Sequence, residues 1–156
     1  VFTFGIETDT YDREGRCLQQ KAIPEISGDD WKKILTQWTG EISQIPPPFS
    51  AIKQKGIPLY KMARKGLSVE VKPRKVWIHS IRMTDWRPPS LFLSIHCGKG
   101  TYIRSLAHDI GRQVGCGAIV SALRRTAIGR YDIAHALTIT ELQSSLLLER
   151  NNRYVI

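Results

Sequence analysis

The chain has 156 residues, 24% of them charged and 42% hydrophobic, with a formal net charge of +9. That length supports one domain with a sizeable core, and no apolar run is long enough for a membrane span or a secretory leader. Three widely spaced cysteines (Cys17, Cys97, Cys116) form neither a disulfide framework nor a zinc-ligand set, so reduced thiols in a cytoplasmic protein are expected.

The charge is unevenly placed. Residues 42–84 hold nine Lys/Arg (Lys53, Lys55, Lys61, Arg64, Lys65, Lys72, Arg74, Lys75, Arg82) against the single acid Glu70, a local excess of +8. Such concentration points to a polyanionic partner, against the alternative of a plain solvated face.

The first run, Val1 to Ile6, reads as a strand, and Thr8 to Gly15 as a turn-forming loop. Its Asp and Thr side chains hydrogen-bond local backbone. Asp9 and Asp12 lack the full calcium-loop spacing, so a metal site is not expected there. Ser27 followed by Asp30 predicts a capped helix, with Trp31, Ile34, Leu35 and Trp38 on one buried face and Gly40 at its end. Gln44 to Ser50, with three consecutive prolines, reads as a stiff extended segment. Pro58 suits the first turn of a short helix that Gly66 ends. Together, residues 44–66 read as a loop and helix projecting from the domain. Cations interleaved with Phe49 and Tyr60 suit single-stranded or looped nucleic acid, against the alternative of a plain Pro-rich linker.

Val69 to Trp86 predicts one or two strands. Leu91, Leu93, Ile95 and Cys97 alternate as a half-buried strand, with His96 on the other side as a structural histidine. Gly98-Lys99-Gly100-Thr101-Tyr102-Ile103-Arg104 then joins strand to helix. Thr101 is the expected cap, and Gly115 to Gly117 the helix end. A strand-to-helix corner can present N–H groups and an arginine to an anion. Arg104 stands in the first helical turn, where the dipole disfavours a cation. It therefore calls for a phosphate, or a carboxylate from elsewhere in the fold, unless it is simply solvated. Residues 118–122 read as a short helical turn, 123–134 as a strand, and Thr138 as the cap of a last helix.

These motifs resemble one family. Gly98 to Leu106, Gly115-Cys116-Gly117-Ala118 and Leu123-Arg124-Arg125 are similar to TruB-type tRNA pseudouridine synthases. So are Gly5 to Gly15, Gln44 to Lys53 and Gly56 to Gly66. Several motifs in register, from Val1 to about Leu142, make the resemblance specific. It implies an α/β (α+β) fold with a mixed, mainly antiparallel sheet flanked by helices. It also implies isomerisation of a T-loop uridine in tRNA, without metal or organic cofactor. The expected partner is the T-arm stem-loop of tRNA, not a membrane.

By this resemblance, Tyr102 lines the uridine pocket, Arg104 pairs with the catalytic aspartate, and Leu123 is a pocket leucine. Phe49, Lys53, Tyr60 and Arg64 belong to the insertion, 44–66, that grips the RNA. The family's Gly-x-Leu-Asp-Pro-type motif, which carries the aspartate, is absent from the 156 residues. The resemblance thus implies a partial catalytic domain over 1–156, incomplete at its N-terminus and inactive alone, with no separate C-terminal RNA-binding domain. Arg104's missing anion would then be that absent aspartate. Ile119 and Ala122 depart from relatives that carry a histidine and an aromatic there. A non-catalytic RNA-binding module is the alternative function. Val1 to Ile6, if left unpaired, would form an exposed edge that invites self-association.

Overall fold

Gly5 sets the start of the fold. Its φ of +83° turns the chain, and a Cβ there would meet the Lys21 carbonyl oxygen at 2.9 Å. The expected first strand is therefore two: β1 (Phe2–Phe4) and β2 (Ile6–Thr8). The computed structural model describes residues 1–54, 56–64 and 71–144. It divides into two compact units, Val1–Ala122 and Leu123–Ile156.

In the first unit, β2 pairs antiparallel with β3 (Cys17–Gln20). Helix α1 (Gly28–Thr36) begins as the sequence predicts. The Ser27 hydroxyl accepts from Asp30 N–H at 3.1 Å, and Asp30 accepts from Ser27 N–H at 3.2 Å, completing a capping box. Next come β4 (Gly40–Gln44), the short pair β5 (Lys53–Gln54) and β6 (Ile57–Pro58), and α2 (Leu59–Arg64). Pro58 ends β6 just before α2 rather than opening the helix. The chain then forms β7 (Arg74–Arg87), β8 (Ser90–Cys97), α3 (Ile103–Val114) and β9 (Ala118–Val120).

The main sheet runs β4-β7-β8-β1-β9, with every neighbouring pair antiparallel. Two expectations change here. Residues 118–120 form a strand, not a helical turn, because β1 pairs along them: Phe2 opposite Val120 and Phe4 opposite Ala118. And β1 is an interior strand, with β8 on its other side. The exposed edge expected at Val1 to Ile6 is absent, and with it the reason for self-association through that strand.

Alternation builds the core. Leu91 is buried on β8, as are Val76 and Ile78 on β7, while Lys75 and Trp77 face out. Trp31 is fully buried and meets Phe4 at 4.8 Å between ring centroids and Trp86 at 5.1 Å. Leu106, Ala107 and Ile110 seat α3 on the same core. Both α1 and α3 are amphipathic for the reason their sequence spacing gives. Among the described residues, no helix is long and apolar enough to cross a membrane.

The second unit holds an antiparallel hairpin, β10 (Ala127–Ile128) with β11 (Tyr131–Asp132), where one continuous strand was expected. Gly129, at φ +57°, reverses the chain between them. Thr138 begins a helical segment as expected: its N–H and hydroxyl donate to Glu141, whose own N–H donates back to the Thr138 hydroxyl at 3.2 Å.

Gly111 marks the closest approach in the first unit. A Cβ there would collide with the Ala118 nitrogen and the Gly117 carbonyl carbon, both backbone atoms that cannot step aside. In an exposed helix, Gly→Ala would stabilise by about 1 kcal/mol. Gly111→Ala is expected instead to destabilise by roughly 2 kcal/mol or more, because α3 must lift from β9. Urea denaturation of the two proteins measures this; an unchanged or higher midpoint would contradict the packing described.

Candidate active site

The start of α3 has four orphan backbone N–H groups and no side-chain cap of its own. Thr101 does not cap it; its hydroxyl donates to the Gly98 carbonyl at 2.9 Å. Tyr102 occupies the cap position, and the polar partner is Gln44, buried at the end of β4. The Tyr102 N–H donates to Gln44 Oε1 at 2.8 Å, and Gln44 Nε2 donates to the Tyr102 carbonyl at 3.1 Å. One turn in, the Ser105 hydroxyl donates to the Ile45 carbonyl at 2.7 Å. The Pro-rich segment therefore does not leave the domain at Gln44. It runs along the start of α3, with Pro46 and Pro47 buried, before reaching β5.

Arg104 closes this corner. Nη1 donates to Asp12 Oδ2 at 3.0 Å and to the Thr10 carbonyl at 3.1 Å, and Nη2 donates to the Phe49 carbonyl at 2.9 Å. Its side chain is 27% exposed and that of Asp12 25%, so the pair sits in a half-dry environment where charge-assisted bonds are strong. Of the anions the sequence left open for Arg104, the structure shows a carboxylate from elsewhere in the same chain, that of Asp12.

Asp12 is itself fully engaged. Oδ1 accepts from the Thr10 hydroxyl at 2.6 Å and from Glu14 N–H at 3.1 Å. The Thr8 hydroxyl donates to the Asp12 carbonyl at 2.7 Å. A carboxylate with both oxygens occupied is a strut rather than a free nucleophile. The local Asx-type bonds were legible in the Asp/Thr pattern. The contact with Arg104 was not, though an uncompensated Arg at a helix start asks for such a partner.

The remaining predicted residues divide clearly. Phe49 contributes its carbonyl to Arg104, and its side chain is half-buried. Tyr102 lies beside Arg104 at the start of α3 with its side chain half-buried. Lys53 is exposed on β5. Tyr60, on α2, donates its backbone N–H to the Ser50 carbonyl at 3.1 Å. The Arg64 side chain, like Lys55 and Lys65, lies outside the described residues. Leu123 opens the second unit and is 66% exposed. His96 is exposed, its ring 4.6 Å from that of His79, rather than satisfied in the interior. Among the described residues, no group of three or more His, Cys, Asp or Glu is placed to hold a metal ion.

One feature escaped sequence reasoning altogether. The Tyr11 ring stacks on His108 of α3, with centroids 3.9 Å apart and planes 10° from parallel. His108 stands one turn beyond Arg104, and Tyr11 stands between Thr10 and Asp12.

Comparison with known proteins gives the family and the fold. The TruB family pseudouridylate synthase N-terminal domain matches residues 1–103, and the tRNA pseudouridylate synthase B C-terminal domain matches residues 104–155. The chain is 43% identical over 141 residues to a tRNA pseudouridine synthase B of Dehalococcoides mccartyi, covering 90% of this chain and 47% of that protein. It is 45% identical over 140 residues to one of Francisella philomiragia (89% and 46%). It is 44% identical over 147 residues to one of Nitrosococcus oceani (94% and 47%). The chain thus spans about half the length of the curated relatives it matches. A chain from the crystal structure of a Cbf5-Nop10-Gar1 complex superposes with a TM-score of 0.65 at 25% identity, covering 83% of this chain and 35% of that one. An antiparallel sheet with flanking helices is the fold they share.

Two ionisable groups of α3 give the fold a pH signature. Burial raises the Asp109 carboxyl from 3.8 to about 6, against an opposing pull from Arg112. Between about pH 4 and pH 6 the unfolded chain releases this proton while the folded one retains it. Stability from this group therefore falls as pH rises through that window and stays lower above it. Burial lowers the His108 value, so its contribution runs the other way, lost as pH falls. Asp109→Asn, a neutral isostere, should match the parent protein near pH 4 and become progressively more stable than it by pH 6, with a constant gap above. Thermal denaturation across pH 4 to 7 tests this. A gap independent of pH would mean that Asp109 is not held protonated by burial.

Proposed function

The chain belongs to the TruB family of pseudouridylate synthases, and from that premise we propose that it contributes the arginine half of an active site that isomerises a uridine in the T-arm of tRNA. The reaction breaks the bond from C1′ to N1 of the base and remakes it to C5. It needs a carboxylate that stays ionised in a dry pocket and a base taken out of its stack. The carboxylate comes from the family's Gly-x-Leu-Asp-Pro-type motif, which the 156 residues do not contain.

The observation that carries this reading is Arg104. Three of its five N–H donors are spent on Asp12, Thr10 and Phe49. Those bonds fix the guanidinium plane and leave two donors for a second carboxylate. A cation so placed keeps a neighbouring acid ionised. Asp12, with both oxygens occupied, serves to hold Arg104 rather than to attack. Tyr102, two residues before Arg104, lines the base pocket.

Residues 44–66 grip the RNA. Lys53 and Lys61 are exposed there, in the part of the chain with the highest excess of positive charge, and cations in that density suit a phosphate backbone. Lys53, Arg64, Phe49 and Tyr60 are the contacts of this segment in our reading. Its anchorage to α3 through Gln44 and Ser105 brings the gripping segment next to Arg104. The same basic segment favours a second reading, an RNA-binding module without chemistry, and one experiment separates the two.

T-arm RNA labelled as 5-³H-uridine is incubated with the chain joined to a family segment bearing the Gly-x-Leu-Asp-Pro motif, and with the chain alone. Tritium release is expected from the first and not from the second. Arg104→Ala should lower turnover by ~100-fold or more with little change in RNA affinity. Lys53→Ala should weaken binding and reduce the salt slope by about 0.7, leaving saturated turnover intact. RNA binding by the joined protein without tritium release would establish the non-catalytic reading instead.

A further inference from the structure

Tyr11 has a backbone that its residue type does not favour. Its φ is +63°, in the left-handed region, where among the described residues every other occupant is glycine. A bulky residue there is an outlier that the surroundings must enforce. Tyr11 N–H donates to the Thr8 carbonyl at 3.3 Å, Val120 N–H donates to the Tyr11 carbonyl at 3.0 Å, and Arg13 N–H donates to the Val120 carbonyl at 3.2 Å. These stitch the loop to β9, where Asp12 and Val120 form an isolated parallel bridge. The fourth contact is the ring, stacked face to face on His108 at 3.9 Å.

The two residues flanking Tyr11 are the two that this loop offers to Arg104: the Thr10 carbonyl and the Asp12 carboxylate. The surface beneath its ring, His108, is four residues along α3 from Arg104, on the same side of the helix. So the ring pins the loop to the very helix that carries the guanidinium. Buried His108 Nδ1 finds no hydrogen-bond partner among the described residues, so no polar bond rivals the stack in orienting the imidazole. Glu7, Asp109 and Arg112 are the charged groups around the pair.

We propose that Tyr11 is a positioning residue for the reaction: stacked on His108, it sets the distance and angle at which Thr10 and Asp12 receive Arg104, and so aims the guanidinium's remaining donors. This rests on the reading of Arg104 given above. The stack itself stands without it. Glycine at position 11 would relieve the backbone but would lose the ring; phenylalanine would keep the ring and lose only the hydroxyl.

The test reads Arg104 directly. In the 156-residue chain, side-chain N–H signals of ¹⁵N-labelled arginine report how long the guanidinium stays bonded. Tyr11→Phe should leave Arg104 protection unchanged. Tyr11→Ser, Tyr11→Gly and His108→Ala should each lower it by roughly tenfold, and the double variant Tyr11→Ser/His108→Ala should be no worse than either single one. The His108 substitution approaches the stack from the helix side, so the proposal survives a loop variant that fails to fold. In the joined, active protein, the same substitutions should lower kcat about tenfold or more while KM stays within about twofold, and Tyr11→Phe should restore it. Full Arg104 protection in folded Tyr11→Ser or His108→Ala, or additive losses in the double variant, would overturn the proposal. Absent turnover in the joined parent protein, with protection lost as described, would sink the catalytic reading and leave the positioning role standing.

Discussion

The guanidinium of Arg104 ties together three pieces of chain that are far apart in sequence. Asp12 and Thr10 come from the turn after β2, Phe49 from the Pro-rich segment, and Arg104 itself from the start of α3. A cation in a first helical turn opposes the helix dipole. Here the cost is offset locally by an ion pair at 3.0 Å and by two carbonyl dipoles, in a place shielded from most of the solvent. Remove the carboxylate and a half-buried charge is left unpaired, which costs far more than an exposed pair contributes. The corner is therefore cooperative: loop, segment and helix hold one another, and none has an equivalent partner elsewhere among the described residues.

Much of this architecture was legible where the signals are local. The capping box of Ser27 and Asp30, the face of Trp31 and Leu35, and the alternation from Leu91 to Cys97 need only neighbours within a turn or a strand. Ala118 to Val120 was misread because a short strand buried on both faces does not alternate, and three small or branched apolar residues fit a helical turn equally well. The stretch from 123 to 134 was read as one strand because its turn rests on Gly129, flanked by residues that suit a strand. Gln44 gave no signal. Its role depends entirely on a helix start fifty-eight residues later.

The site was half legible for the same reason. Arg104 stood out because its charge opposes the dipole of the helix it begins, and Tyr102 through the family resemblance of its motif. Asp12 was correctly placed in a self-bonding loop, yet its second oxygen reaches across the fold. The Tyr11–His108 stack lay beyond reach, since neither residue has a pattern that predicts the other. Sequence conveyed which groups were unusual, and the fold conveyed who satisfies them.

The interior place of β1 reaches into how the chain is made. Phe2 pairs with Leu91 on one side and Val120 on the other. During synthesis at ~5–20 residues per second, this strand emerges well before β8 and β9 and waits several seconds or more for both neighbours. Its two phenylalanines, each nearly inaccessible in the finished sheet, are meanwhile bare. Pairings between residues so far apart in the chain are slow to close. Until β9 arrives, the nascent protein carries an apolar ribbon that chaperones are suited to shield, and a destabilised β9 would both prolong that exposure and loosen the loop it holds against Arg104.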